Sequence, residues 1–203
     1  MRAITYIIMG YIMGSILFAQ VFSKLFNKNI LQESKDGNPG TANAFMYGGF
    51  WCGVLTLFFE LFKGAVPVYL YLRGVNIQSA STAALASVIA APVIGHIYPI
   101  FNKFHGGKGI AVTFGVLLGL VPIWSPVLLL AFFFIFFSMI VRVSPHIHRT
   151  VVTYCCTLTA IVLTNQIRGI IAGVAIITVI VLHRLYISKE EKEKIKVGLL
   201  WMN

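Results

Sequence analysis

Seven long apolar runs, separated by short polar or glycine- and proline-rich clusters, organise this chain. They predict helices near residues 3–23, 47–72, 80–95, 109–121, 124–141, 150–165 and 168–186. A bilayer core of about 30 Å takes roughly 20 apolar residues per helix, so a chain of this length has room for about six to eight spans. The fourth run is short for a crossing and is bracketed by Gly109 and Pro122. That predicts a tilted helix or one packed within the bundle. The first run, Ala3 to Val21, is followed by no small-residue cleavage pattern and is expected to stay as the first helix.

Composition narrows the class further. Of 203 residues, 58% are hydrophobic and 11% charged, against about 25% charged in a soluble domain. Such a chain cannot cover a water-facing surface, and it leaves no room for a separate soluble domain. Residues 1–203 are expected to form a single transmembrane domain of the all-α class. Cys52, Cys155 and Cys156 all fall inside apolar runs. An odd number so placed argues against disulfides and metal ligation and for packing roles. We find no internal repeat.

Basic residues set the expected orientation. With the N-terminus outside, twelve of the sixteen Lys and Arg fall on the inner side: Lys24, Lys28, Lys35, Lys103, Lys108, Arg142, Arg149, Arg184, Lys189, Lys192, Lys194 and Lys196. Arg2, Arg73 and Arg168 fall outside, and Lys63 lies within the second run. The positive-inside rule then predicts about seven spans, N-terminus out and C-terminus cytoplasmic. The net charge of +10 is concentrated on one face, which suits anionic lipid or phosphorylated metabolites. No separate basic domain exists to carry nucleic acid.

Two polar segments on that face carry the candidate chemistry. One runs from Gly95-His96 through Tyr98-Pro99 to His105-Gly106-Gly107-Lys108-Gly109. Glycines let backbone N–H groups approach an anion, and a lysine adds a point charge. It lacks the spacing and the Ser/Thr of a P-loop. The other is Lys35-Asp36-Gly37-Asn38-Pro39-Gly40-Thr41-Ala42-Asn43, an ordinary turn by itself and half of a polar pocket beside the first. Glu60 and Lys63, three apart inside an apolar run, are expected to pair with each other rather than to catalyse. His146 and His148 are expected at headgroup level. Neither an HExxH motif nor a nucleophile elbow is present.

These motifs, with Gly14-Ser15-Ile16 and Lys63-Gly64 in the same order and spacing, resemble the bacterial acyl-phosphate-dependent glycerol-3-phosphate acyltransferase family over nearly the whole chain. The resemblance implies transfer of a fatty acyl group from acyl phosphate to the 1-hydroxyl of glycerol 3-phosphate, giving lysophosphatidic acid for phospholipid synthesis. It implies no metal and no cofactor, acyl phosphate being a co-substrate, and a monomer in the bacterial cytoplasmic membrane with its site at the cytoplasmic face. Lys108 would hold phosphate, with the backbone of Gly106, Gly107 and Gly37 lining the anion site. Asn38 and Asn43 would shape the opposite wall. His96 and His183 match family histidines, His183 being expected either to orient or deprotonate the acceptor hydroxyl or to face the headgroups from its helix end, and Ser144 falls close to a family serine. An activated acyl donor needs no covalent nucleophile, so positioning and charge stabilisation suffice in principle.

Several positions depart from the family pattern. Asp36 stands where serine is usual, Met46 and Gln32 where arginines are, Tyr186 where asparagine is, and His105 where lysine is common. Thr41-Ala42 reverses the usual order. Losing charge-assisted hydrogen bonds at about 1.5–3 kcal/mol each weakens the hold on a dianion. Two alternatives therefore stand beside the family activity. One is a divergent paralogue acylating a less anionic acceptor. The other is a non-enzymatic membrane binding or transport protein with a degenerate site, against which counts the lack of any visible inverted repeat.

Overall fold

The computed structural model describes residues 2–34, 36–188 and 194–199, and places a helix in every predicted run. The first run is split into α1 (Arg2–Gly14) and α2 (Phe18–Leu25). Two short helices follow, α3 (Ile30–Glu33) and α4 (Thr41–Gly48), in what the sequence presents only as a polar loop. Next come α5 (Phe50–Leu72), α6 (Thr82–Ile97), α7 (Ile110–Leu118) and α8 (Ser125–Ile135), the last continued by a π-helical turn over Phe136–Ile140. Finally, α9 (His146–Thr164) and α10 (Arg168–Tyr186) complete the bundle.

Among the described residues, five stretches are long and apolar enough to cross a membrane: Arg2–Leu25, Phe50–Leu72, Thr82–Asn102, His146–Thr164 and Arg168–Tyr186. The nine residues of α7 rise only about 13 Å at 1.5 Å per residue, so this helix packs inside the bundle rather than spanning it. Among the described residues, a pair of short strands departs from an all-helical reading. β1 (Val141–Ser144) pairs antiparallel with β2 (Lys196–Leu199), bringing Ser144 opposite Lys196. Lys35 and tail residues 189–193, counted above among the basic positions, lie outside the described residues.

Helices in lipid gain little from burying apolar surface and associate instead through close packing of small residues. Gly14 of α1 lies against the Pro92 carbonyl of α6, and Gly95 of α6 lies against the Tyr11 carbonyl of α1. Gly115 of α7 meets the Leu61 carbonyl of α5, and Gly173 of α10 meets Ile89 of α6. A Cβ at any of these positions would press α1, α5, α7 or α10 away from its neighbour. The resulting core, including Val88, Ile89, Val93, Val116, Ile170 and Ile177, surrounds α6. Its C-terminal end delivers His96 and the glycine-rich turn to one end of the bundle.

Candidate active site

The site is built where α6 ends and α7 begins. The chain leaves α6 at Ile97, makes a short 3-10 turn over Ile100–Asn102 and enters α7 at Ile110. Gly106 and Gly107 lie directly on His96: a Cβ on Gly106 would collide with the His96 carbonyl, and one on Gly107 with His96 Nε2. The Gly107 N–H donates to that same carbonyl at 3.2 Å. From the other side Arg184 donates to the Gly106 carbonyl from Nη2 at 2.7 Å and to the Gly107 carbonyl from Nε at 3.2 Å. The turn is thus clamped between α6 and α10, and it presents Lys108 to the space beside it.

Facing Lys108 is the loop between α3 and α4. Asp36 is its hub. Its Oδ1 accepts from Asn43 Nδ2 at 2.8 Å and from the Asn38 N–H at 3.1 Å. Its Oδ2 lies 3.0 Å from Lys108 Nζ. Asn43 also donates to the Asn38 carbonyl at 2.8 Å, so its amide braces the loop. Gly37 adopts φ +60°, a conformation that glycine takes without strain. Partial burial alone pushes the Asp36 carboxyl up. The Asn43 hydrogen bond, the Lys108 ammonium and the Asn38 N–H together outweigh that and hold it below its ordinary value of 3.8.

Two cavities meet at this ion pair. The first, about 480 Å³, has an apolar wall of Met46, Leu57, Ile110, Phe114 and Phe134. It ends at Asp36, Asn38, His96 and Lys108. Residues 41–43 and 110–111, in the first turns of α4 and α7, also line it. Helix N-termini carry unpaired N–H groups and partial positive charge, so two of them flanking a lysine suit an anion. The second cavity, about 700 Å³, is more polar and includes Gln20, Asn102, His105, Arg184 and Ser188 with Asp36, Asn38 and Lys108.

The expected residues divide accordingly. Lys108, Asp36, Asn38, Asn43, Gly37, Gly106, His96 and His105 all line one or both cavities. Gly107, within the turn, lines neither cavity, and its N–H already donates to the His96 carbonyl. His105 Nδ1 is 2.6 Å from the Lys103 carbonyl. His183 lines neither cavity; its Nδ1 lies 3.0 Å from the Tyr98 hydroxyl, and Tyr98 lines the polar cavity. Ser144 is exposed on β1 and also lines neither. Glu60 and Lys63 pair as expected, 2.9 Å apart, and His96 joins them. Arg184 was legible only as one more basic residue on the inner face. Among the described residues no group of three His, Cys, Asp or Glu is placed to hold a metal ion.

The family model described as glycerol-3-phosphate acyltransferase matches residues 4–192. The chain belongs to that family. Among curated family members, a glycerol-3-phosphate acyltransferase of Staphylococcus carnosus (strain TM300) is 31% identical and one of Staphylococcus aureus (strain Newman) is 30% identical. Each alignment covers 100% of both chains. Among solved structures, the glycerol 3-phosphate form of PlsY (YgiH), an integral membrane glycerol 3-phosphate acyltransferase, superposes with a TM-score of 0.77 at 26% identity. That superposition covers 91% of this chain and 88% of the other. The lysophosphatidic acid form gives 0.73 at 25% identity over the same shares.

Proposed function

We propose that this chain is an acyltransferase that moves a fatty acyl group from acyl phosphate to the 1-hydroxyl of glycerol 3-phosphate. The acceptor oxygen bonds to the acyl carbon and the bond from that carbon to the phosphate oxygen breaks. Lysophosphatidic acid and inorganic phosphate result, with the hydroxyl proton ending on the phosphate. The observation that carries this reading is the pair of cavities joined at Lys108. An acyl chain fits the apolar one, a small polar acceptor fits the other, and the charged ends of both meet beside Lys108 and two helix N-termini. Full-length relatives named for this acceptor favour the reading over a silent binding protein.

His96, at the end of the apolar cavity, touches the reacting groups in this scheme. His183 lies outside both cavities, behind Tyr98, which lines the polar one, and has no direct part in this scheme. The uneven distribution of Lys and Arg supports an N-terminus outside and a site at the cytoplasmic face of a bacterial plasma membrane. There both phosphorylated substrates would be available to a monomer without cofactor. Purified protein given acyl phosphate and glycerol 3-phosphate should release lysophosphatidic acid and phosphate in equal amounts. No product under conditions that support the Staphylococcus carnosus relative would refute the reading.

A further inference from the structure

The scheme above gives no role to Glu60 and Lys63, two ionisable side chains buried beside His96 inside the bundle. Glu60, Lys63 and His96 are 1%, 1% and 4% exposed. Glu60 Oε2 lies 2.9 Å from Lys63 Nζ and 2.9 Å from His96 Nδ1. Lys63 Nζ is also 3.0 Å from His96 Nδ1 and donates to the Ile16 carbonyl at 2.5 Å. The Phe18 N–H reaches Glu60 Oε1 at 3.3 Å. The pair thus caps the break between α1 and α2, where backbone groups lose their helical partners.

Capping alone does not account for the cluster. Buried ion pairs are often no more stabilising than apolar residues of the same volume, so stability alone does not explain this one. The geometry supplies a positioning role. His96 Nδ1 lies within reach of both a carboxylate and an ammonium, donating to Glu60 when protonated or accepting from Lys63 when not, and either bond orients the ring. The opposite nitrogen, Nε2, lies where a Gly107 Cβ would collide with it. The ring is thus the floor on which the glycine turn rests, with Arg184 holding the same turn from above.

We propose that Glu60 and Lys63 are positioning residues for the anion site: through His96 they hold the Gly106-Gly107-Lys108 turn in register with the Asp36 loop. A shift of the ring tilts the turn, and Lys108 leaves the junction of the two cavities. Misplacement of about 1 Å in such a site is enough to cost two orders of magnitude in rate. The role of the turn in phosphate binding rests on the function proposed above, whereas its dependence on the cluster does not.

The test uses Glu60→Gln/Lys63→Met, which removes both charges together and leaves neither one buried alone. Hydrogen exchange is read by mass spectrometry on the full chain in detergent. The cluster's role predicts exchange about tenfold faster across residues 97–109, with α10 unchanged. It also predicts a raised KM for glycerol 3-phosphate. His96→Asn should reproduce the exchange change and add nothing to the double variant; it also carries the test alone if the double variant does not fold. Unchanged exchange at 97–109, or equal acceleration in every helix, would overturn the proposal. Absence of acyl transfer by the wild-type chain would remove the proposed function but leave the exchange result standing.

Discussion

The Asp36 carboxylate and the Lys108 ammonium, 3.0 Å apart, form the wall shared by the two cavities. A phosphate approaching Lys108 must therefore share the ammonium with a carboxylate already on it. Asp36 is predicted to compete with a substrate phosphate for the Lys108 ammonium. Asn at position 36 keeps a side-chain oxygen to accept the Asn38 N–H but drops the charge. Asp36→Asn is predicted to lower KM for glycerol 3-phosphate about tenfold, at the lower end of what one charged hydrogen bond is worth. Steady-state kinetics at fixed acyl phosphate checks this; an unchanged or higher KM would show that the carboxylate does not compete.

The same pair makes a statement about pH. Asp36 is held below its ordinary value of 3.8, so its charge and the pair persist above that range. They are lost only as pH falls through the depressed value. The ratio of wild-type to Asp36→Asn KM is predicted to stay constant from neutral pH down to about pH 5. It should close only in stronger acid, as the carboxylate protonates. A ratio that already closes between about pH 6 and 7 would place the carboxyl well above where its partners hold it.

Arg184 is the residue whose role the sequence did not disclose. Its fork reaches two consecutive carbonyls, at 2.7 and 3.2 Å, a geometry that a lysine cannot reproduce. Arg184→Lys retains the charge and is predicted to lower kcat/KM by about 10- to 100-fold, the equivalent of one lost hydrogen bond to a charged group. Melting temperature should hardly move, since the contact lies at the end of the bundle. Wild-type kcat/KM in this variant would mean that charge alone, not the fork, serves the turn.

Gly107→Ala tests the floor of the turn. Its Cβ would meet His96 Nε2, and that ring is held by Glu60 and Lys63 and cannot give way. Acyl transfer is predicted to fall below a hundredth of wild type, a magnitude of about 3 kcal/mol, while the protein still extracts and purifies as a folded chain. Alanine at Gly198, which has open space around it, is the matched control.

What the sequence disclosed follows from how local each signal is. The apolar runs of α5, α6, α9 and α10 are continuous, so their positions could be read within a few residues. The break between α1 and α2 could not, because Ile16 and Leu17 are as apolar as their neighbours. It is stabilised by Glu60 and Lys63, more than forty positions away. The spacing of Glu60 and Lys63 predicted a pair, yet nothing local pointed to His96 as its third member. Likewise β1 and β2 pair segments separated by α9 and α10, so no periodicity announces them. At the site, the glycines and Lys108 were legible from composition and order. Asp36 was legible as a departure, but its grip on Lys108 needed the fold.

Placement of the substrate phosphate on Lys108, where an apolar and a polar cavity join, is open to direct test. The most direct measurement is acyl transfer by purified wild type and Lys108→Ala, with acyl phosphate and glycerol 3-phosphate varied separately. Wild type should form product and Lys108→Ala should lose at least about 100-fold in kcat/KM, since a charge-assisted contact and its alignment are lost together. Equal activity of the two proteins would contradict that placement.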